Sequence, residues 1–511
     1  MTTVSMHGQD VRGFGNERNE ASRLSGRIIL DGRLQPALTS ELFSVENPAE
    51  ESEIAKVPRC GEKDVNRSVE SARLAFHSWR REPARERGNR LRRLADALEA
   101  EGESLARLLA LETGNALSTQ ARPEIGAMVE MFRYFAGIAT EIKGTTIPWS
   151  NDALCYTTRE PLGVVGAIIP WNAPLFLTAA KLGPSLAAGN TAVIKAAEQA
   201  PLAVLRCLEI MQDYFPPGVA NYVSGYGEEA GKPLAEHPHV RKVSFTGSCD
   251  VGKMILRYAA DKLCPVTLEL GGKSPNIIMR DADLDLAANG ILTGMRFTRQ
   301  GQSCSAGSRI YIHEDVFDDV IERAIKLMAK LKIGSPLDET TQVGTIVSRE
   351  QYERVLGYLD LARNTNGARI LCGGGRPKGK QFAKGYFLEP TIIDGVSGAS
   401  PLSRDEIFGP VAIAYRWRDF DQVLAEANDT SFGLAATIWT SDLAAALRFA
   451  QEIEAGFVQV NQFITPRAGL SYGGMKSSGM GRENTLESAL EHFTTSKTVI
   501  INPATKMMGL S

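Results

Sequence analysis

GVVGAIIPWN, residues 163–172, is a short apolar run that stops at a proline, a tryptophan and an asparagine. It is too short for a buried helix and reads as a strand covered on both faces. Runs of the same kind follow at TAVIKAA (191–197), ANYVSG (220–225), VRKVSFTG (240–247) and TLELGG (267–272), each separated by a helix-length segment. Parallel neighbours need crossover helices, so this alternation predicts an α/β fold with a doubly wound parallel sheet. A second series, SPNIIM, RIYIH, VAIAYRW, LAATIWT and GFVQVN, with helical segments at 316–331 and 442–454 between them, predicts a second α/β domain. Ahead of both, Val65, Val69, Ala72, Phe76 and Trp79 share one helical face, and Leu91, Leu94, Leu98, Leu105 and Leu108 continue that style to LETGN, where Gly114 ends a helix.

The chain has 511 residues, 43% of them hydrophobic, and a formal net charge of −3 with no basic stripe, which gives nucleic acid no electrostatic purchase. No run approaches a membrane span, and the N-terminus lacks the apolar core of a signal peptide, so a membrane partner is not expected and a cytoplasmic setting is. Seven widely spread cysteines with no CxxC pair argue against a disulfide framework and a zinc site, and no metal is expected. The first 25 residues are polar enough to predict a loose arm.

One of the cysteines is placed unlike a packing residue. Cys304 sits in FTRQGQSCSAGSR (297–309), among glycines, glutamines and serines, between a predicted helix ending near Phe297 and the strand RIYIH. A thiol on such a loop is there for reactivity rather than core packing. Ligands in open α/β sheets bind beyond the carboxyl ends of the strands, and that is where Asn172, Lys195, Glu198, Gly247, Ser248 and Glu269 stand. Two glycine patterns compete for a phosphate, GYGEEAG (225–231) and GSCDVG (247–252). Glu198 could accept hydrogen bonds from ribose hydroxyls and would repel a 2′-phosphate; a solvated helix start is its plainer reading. No histidine is an obvious partner for Cys304, so loop amides, a bound nicotinamide cation or Glu269 acting as base are the ways left to activate it. Asn172 is the kind of side chain that donates to an oxyanion.

PWNAP (170–174), VIKAAE (193–198), SFTGS (244–248), LELGGKSPN (268–276), GQSCSAGSR (301–309), EIFGP (406–410) and GGMKSSGMGRE (473–483) occur in the order and spacing of the aldehyde dehydrogenase superfamily, which the chain resembles from about residue 27 to 500. The resemblance implies oxidation of a small-molecule aldehyde to a carboxylic acid. Cys304 would attack, Asn172 and the Cys304 amide would hold the oxyanion, and Glu269 would activate the water that hydrolyses the thioester; Lys181 and Glu483 match positions associated with proton relay. NAD is the implied cofactor, with NADP left open. Lys195 and Glu198 would bind the adenosine ribose, Ser248 the pyrophosphate and Glu406 with Phe408 the nicotinamide ribose, while Ile169, Pro170, Trp171, Gly227, Gly247, Leu270 and Gly271 would complete the cofactor site.

The architecture implied is an N-terminal arm (1–25), a cofactor domain (26–143 and 162–272), a catalytic domain (273–487) and a β oligomerisation arm (144–161 and 488–511), assembled as a homodimer or homotetramer. The chain departs from the family pattern where Ala173, Ala180 and Thr298 replace common aromatics, which implies room for a bulky or aromatic aldehyde; Ala196, in place of the usual proline, should matter little. Arg299 and Arg467 read either as recognition of an acidic or polar substrate tail or as two surface arginines. A CoA-acylating relative and a non-catalytic protein of the same fold are the alternatives; Glu269 disfavours the first, and Cys304, Asn172 and Glu269 together disfavour the second.

Overall fold

The computed structural model describes residues 16–502. The opening run forms strand β1 (Val164–Ile169), and the four that follow it form β2 (Thr191–Ala196), β3 (Ala220–Val223), β4 (Val240–Thr246) and β5 (Val266–Glu269). All five are parallel, in the order β3-β2-β1-β4-β5. Two antiparallel strands, Arg27–Leu30 and Arg33–Pro36, extend the β3 edge, and Gly479–Met480 closes the β5 edge. Every residue of β2 and β3 is buried, as expected of strands covered by helices on both faces. The chain winds outward from β1 to β3 and returns to lay β4 on the other side of β1. That reversal opens a crevice beyond the ends of β1 and β4, at Pro170–Trp171 and Gly247–Ser248.

A second sheet contains β6 (Pro275–Ile278), β7 (Arg309–His313), β8 (Thr391–Asp394), β9 (Val411–Trp417), β10 (Ala435–Trp439) and β11 (Phe457–Val460). Its order is β8-β9-β7-β6-β10-β11, all parallel, with Arg369–Cys372 antiparallel on the β8 edge. Only residues 270–274 join β5 to β6, so the Glu269 end of one sheet faces the other. Among the described residues no helix is long and apolar enough to cross a membrane.

Three sequence expectations need correction. Asn16–Leu24 is a helix rather than part of a loose arm, because Ala21 and Leu24 are fully buried and Glu17 pairs with Arg107; residues 1–15 lie outside the described residues. The arm sheet consists of Thr146–Ser150, Ala153–Pro161 and Thr494–Ile501, paired antiparallel. The helix Leu486–His492 before it belongs to the main body instead, since Ala489, with Phe493 just after it, is buried in the core beneath the first sheet. The arm's final residues, 503–511, are outside the description. The helix before the Cys304 loop ends at Gly294, short of the expected Phe297, because the backbone turns left-handed at Arg296 (φ 57°). Gly114 does end its helix: φ is 75°, and a Cβ there would lie 1.9 Å from the Thr345 hydroxyl.

Candidate active site

A cavity of about 960 Å³ lies where the ends of the two sheets meet. Cys304, Asn172, Glu269 and Glu483 all line it, although the sequence scatters them over more than 300 positions. The Cys304 loop is approached through three left-handed residues, Arg296, Gln300 and Gly301, with φ of 57°, 52° and 64°. Such conformations are costly for non-glycine residues and persist only where surrounding structure holds them. Here Asn172 Nδ2 donates to the Gln302 carbonyl at 3.2 Å, while the Gln302 side chain accepts the Val347 amide at 3.0 Å. The loop also presses on the β5–β6 link: a Cβ at Gly272 would meet the Cys304 carbonyl oxygen at 2.4 Å, and one at Gly271 would meet a Glu406 carboxylate oxygen at 2.2 Å. Glycines at both positions let the loop and Glu406 close on β5.

Cys304 Sγ lies 3.5 Å from the Tyr472 hydroxyl. Burial, reinforced by the carboxylates of Glu406 and Glu269, pushes the thiol up to about 11, against the pull of the Tyr472 hydrogen bond and the Ser305 amide. Glu269 is 4% exposed and neither carboxylate oxygen has a hydrogen-bond partner. Burial first, and Glu483 second, hold it well above the usual carboxylate range, with Lys181 and Arg482 pulling the other way. An unbonded buried carboxylate is unfavourable unless a ligand or water meets it, which is characteristic of a working group.

Beneath Glu269, Lys181 Nζ donates to Glu483 Oε1 at 2.9 Å and to Ser244 Oγ at 3.2 Å, and Ser244 Oγ donates to the same carboxylate at 3.2 Å. Lys181 and Glu483 are almost wholly buried, so the pair survives because each charge has the other and a hydroxyl.

The other end of the cavity runs over the crevice between β1 and β4. Pro170, Trp171, Gly247, Ser248, Leu270, Gly271, Glu406 and Phe408 line it. Ser248 caps the helix Cys249–Ala260 by accepting the Val251 amide, leaving that helix's N-terminus facing the crevice as an anion site. Trp171 and Phe408 meet edge to face at 5.2 Å, and Phe408 holds φ at 56°. Glu406 accepts the Gly272 amide at 3.0 Å, and burial lifts it to about 7. Ile169, Lys195, Glu198 and Gly227 do not line the cavity. Lys195 Nζ bonds Glu198 at 3.3 Å at the end of β2, the strand beside the crevice, with burial lowering the lysine against the pull of Glu198.

At the substrate end, Ala173 and Arg299 line the cavity; Thr298 and Arg467 do not. The Thr298 hydroxyl is taken by Gln120 Nε2 at 2.8 Å, and Arg467 is an exposed side chain 3.7 Å from Glu130. Ala180 is 1% exposed in the core, so its small size does not widen the cavity. Two residues that reading the sequence missed do line it. Tyr472 looks like one more apolar residue of GLSYGG, and Arg296 looks like a basic side chain closing a helix.

The family model described as the aldehyde dehydrogenase family matches residues 36–499. The chain belongs to the aldehyde dehydrogenase family. Aldehyde dehydrogenase 1A1 of Gallus gallus is 41% identical to this aldehyde dehydrogenase over 481 residues, 93% of each chain. Phenylacetaldehyde dehydrogenase of Pseudomonas fluorescens is 41% identical over 491 residues, covering 94% of this chain and 96% of that one. Among solved structures, the NAD+ complex of an aldehyde dehydrogenase from Bacillus cereus superposes with a TM-score of 0.92 at 39% identity, covering 96% of this chain and 99% of the other. This aldehyde dehydrogenase is therefore an oxidoreductase, and its two-sheet α/β architecture is the family's.

Proposed function

We propose that this aldehyde dehydrogenase oxidises its substrate to a carboxylic acid through a thioester on Cys304, with NAD+ as acceptor. The observation that carries the proposal is the pairing of Cys304 with an unbonded, buried Glu269 across one cavity. Sγ adds to the aldehyde carbon, forming a C–S bond as the thiol proton passes to Glu269. The alkoxide left behind is met by Asn172 Nδ2 and the Cys304 amide, donors of the kind worth about 3 kcal/mol each in the transition state. NAD+ held in the crevice would supply a hydride acceptor, so that loss of hydride from this adduct leaves a thioester on Cys304. Glu269, relieved of its proton through solvent, takes a proton from water as the water oxygen attacks the thioester carbon. The C–S bond then breaks, and the carboxylate leaves. Lys181 and Glu483 hold a fixed charge pair under Glu269 that lets it gain and lose a proton without moving.

The crevice suits the dinucleotide. Ser248 and the helix N-terminus behind it present donors for the pyrophosphate, Glu406 a carboxylate for the nicotinamide ribose beside Trp171 and Phe408, and Lys195 with Glu198 a donor and an acceptor for the adenosine ribose. Gly227 takes the adenine side. Glu198 would disfavour a 2′-phosphate, which supports NAD over NADP. Trp149, Leu154 and Ile500 of the arm sheet are 71%, 54% and 60% exposed, which supports a homo-oligomer that covers them.

The test is Glu269→Gln mixed with NAD+ and an aldehyde. NADH should form more slowly in the first turnover, levelling near one equivalent per active site, and steady turnover should then fall by about 100-fold or more, because both proton transfers lose their general base. Wild-type steady turnover would overturn the assignment.

A further inference from the structure

Arg296 is the anomaly of the cavity. A guanidinium has five N–H donors and is never neutral in water. Yet no hydrogen bond or ion pair forms at the Arg296 side chain among the described residues; it lies over the Phe463 ring at 4.4 Å, and its Nη2 is buried without a partner. A ring face offsets charge but satisfies no N–H aimed away from it. Burial, with Arg299 nearby, lowers Arg296 to about 10. The left-handed backbone at Arg296 adds strain to a residue already short of partners.

The surroundings do not cancel the charge. Arg299, 15% exposed along its side chain, donates Nε to Gln120 Oε1 at 2.8 Å and lies 3.5 Å from Glu124 Oε2. Glu124 is itself committed, since its Oε1 takes the Leu175 and Phe176 amides at the start of the helix Pro174–Ala188. The carboxylate that faces Arg299 is thus already capping a helix, and among the described residues no carboxylate pairs with Arg296. Arg296 is also near enough to Cys304 and Tyr472 to feel both electrostatically, so it sits on the nucleophile's side of the cavity. Phe176, Leu177 and Phe432 line the same space and offer apolar contact to a hydrocarbon or aromatic body.

We infer that Arg296 binds a carboxylate carried by the substrate at the end away from its aldehyde group, so that the preferred substrates are carboxylated aldehydes. This rests on the reading of Cys304 as the nucleophile. Arg467, exposed and paired with Glu130, takes no part.

Steady-state kinetics on matched aldehydes test it: 4-carboxybenzaldehyde against 4-methylbenzaldehyde, and straight-chain semialdehydes of increasing length against their methyl-ended analogues. In at least one pair, wild-type kcat/KM should favour the carboxylated member by about tenfold or more, the scale of one charge-assisted hydrogen bond, with KM rising as salt is added. Arg296→Met should reduce that ratio about tenfold, chiefly through KM, and Arg296→Lys should recover part of it. The wild-type ratio and its salt dependence stand without any variant. Turnover of neutral aldehydes with no carboxylate preference in any pair, or an unchanged ratio in Arg296→Met, overturns the inference while leaving the Cys304 reading intact. No turnover of any aldehyde together with an unreactive Cys304 overturns both.

Discussion

Replacing Tyr472 by Phe removes one atom from the wall beside Cys304, so its effect can be worked out before it is measured. The Tyr472 ring is 6% exposed and packs edge to face on Phe457 at 5.5 Å, which Phe preserves. What is lost is the hydroxyl 3.5 Å from Cys304 Sγ, a donor that favours the thiolate. At that length it sits at the weak end of the ~1.5–3 kcal/mol that hydrogen bonds to charged groups contribute, and ~1.4 kcal/mol corresponds to one pKa unit. Because donation stabilises the charged form, removing it raises a thiol already pushed to about 11. Thiolate at a fixed pH below that value falls about tenfold, while each thiolate becomes about threefold more nucleophilic, for a net slowing of about threefold. The assay is the second-order rate of an aromatic disulfide with Cys304 between pH 7 and 10, read on the Cys304 peptide because other thiols react too. Cys304→Ser supplies the blank. A Tyr472→Phe rate equal to or faster than wild type across that range would refute the argument that Tyr472 supports the thiolate.

The hydrolysis step should quicken with rising pH. Glu269 is raised in the folded protein and, in the proposed role of base, would act only when ionised, so single-turnover thioester hydrolysis should climb until that group has titrated; a pH-independent rate would remove it from the step. Glu483→Gln strands Lys181 in a buried site and should cost about 3–5 kcal/mol of stability in thermal and denaturant unfolding, whereas Lys181→Met with Glu483→Leu should cost less. Equal losses in the two proteins would mean that the pair is not what the site depends on. Glu198→Ala should improve kcat/KM with NADP+ relative to NAD+ by about tenfold, and an unmoved ratio would detach Glu198 from the ribose.

The sheets were legible because their strands are buried on both faces and so read as bare apolar runs; β1 and β2 coincide with GVVGAIIP and TAVIKAA almost residue for residue. Cys304, Asn172 and Glu269 were legible for a related reason, since strand ends and glycine-rich loops are where polar residues have no structural excuse. Arg296 and Tyr472 were not legible. Each belongs to a type with an ordinary local use, and only three-dimensional placement shows that the arginine has no ionic partner among the described residues and that the phenol meets a thiol. Arg467 failed in the opposite sense, because proximity in sequence to a site segment does not fix which way a long exposed side chain points. The helix Asn16–Leu24 escaped notice because three inward-facing residues carry it within an otherwise charged stretch.

Ser478 gives the cleft a mechanical character. It is wholly buried; its carbonyl accepts the Leu270 amide at 2.9 Å, its hydroxyl donates to the Gly271 carbonyl at 2.7 Å, and that hydroxyl accepts the Gly433 amide at 2.9 Å. Leu270 and Gly271 extend the strand that carries Glu269, while Gly433 belongs to the approach to β10 in the other sheet. One serine therefore rivets the two halves of the molecule at the seam between Glu269 and Cys304. To swing the halves apart, either the bonds to Leu270 and Gly271 with the pairing of Gly479–Met480 with β5, or the Gly433 bond with the pairing of Phe432–Gly433 with Met475–Lys476, would have to break as a set. Substrate and cofactor must thread into a slot of fixed gauge, and the adjustments that turnover requires fall to side chains and to the Cys304 loop.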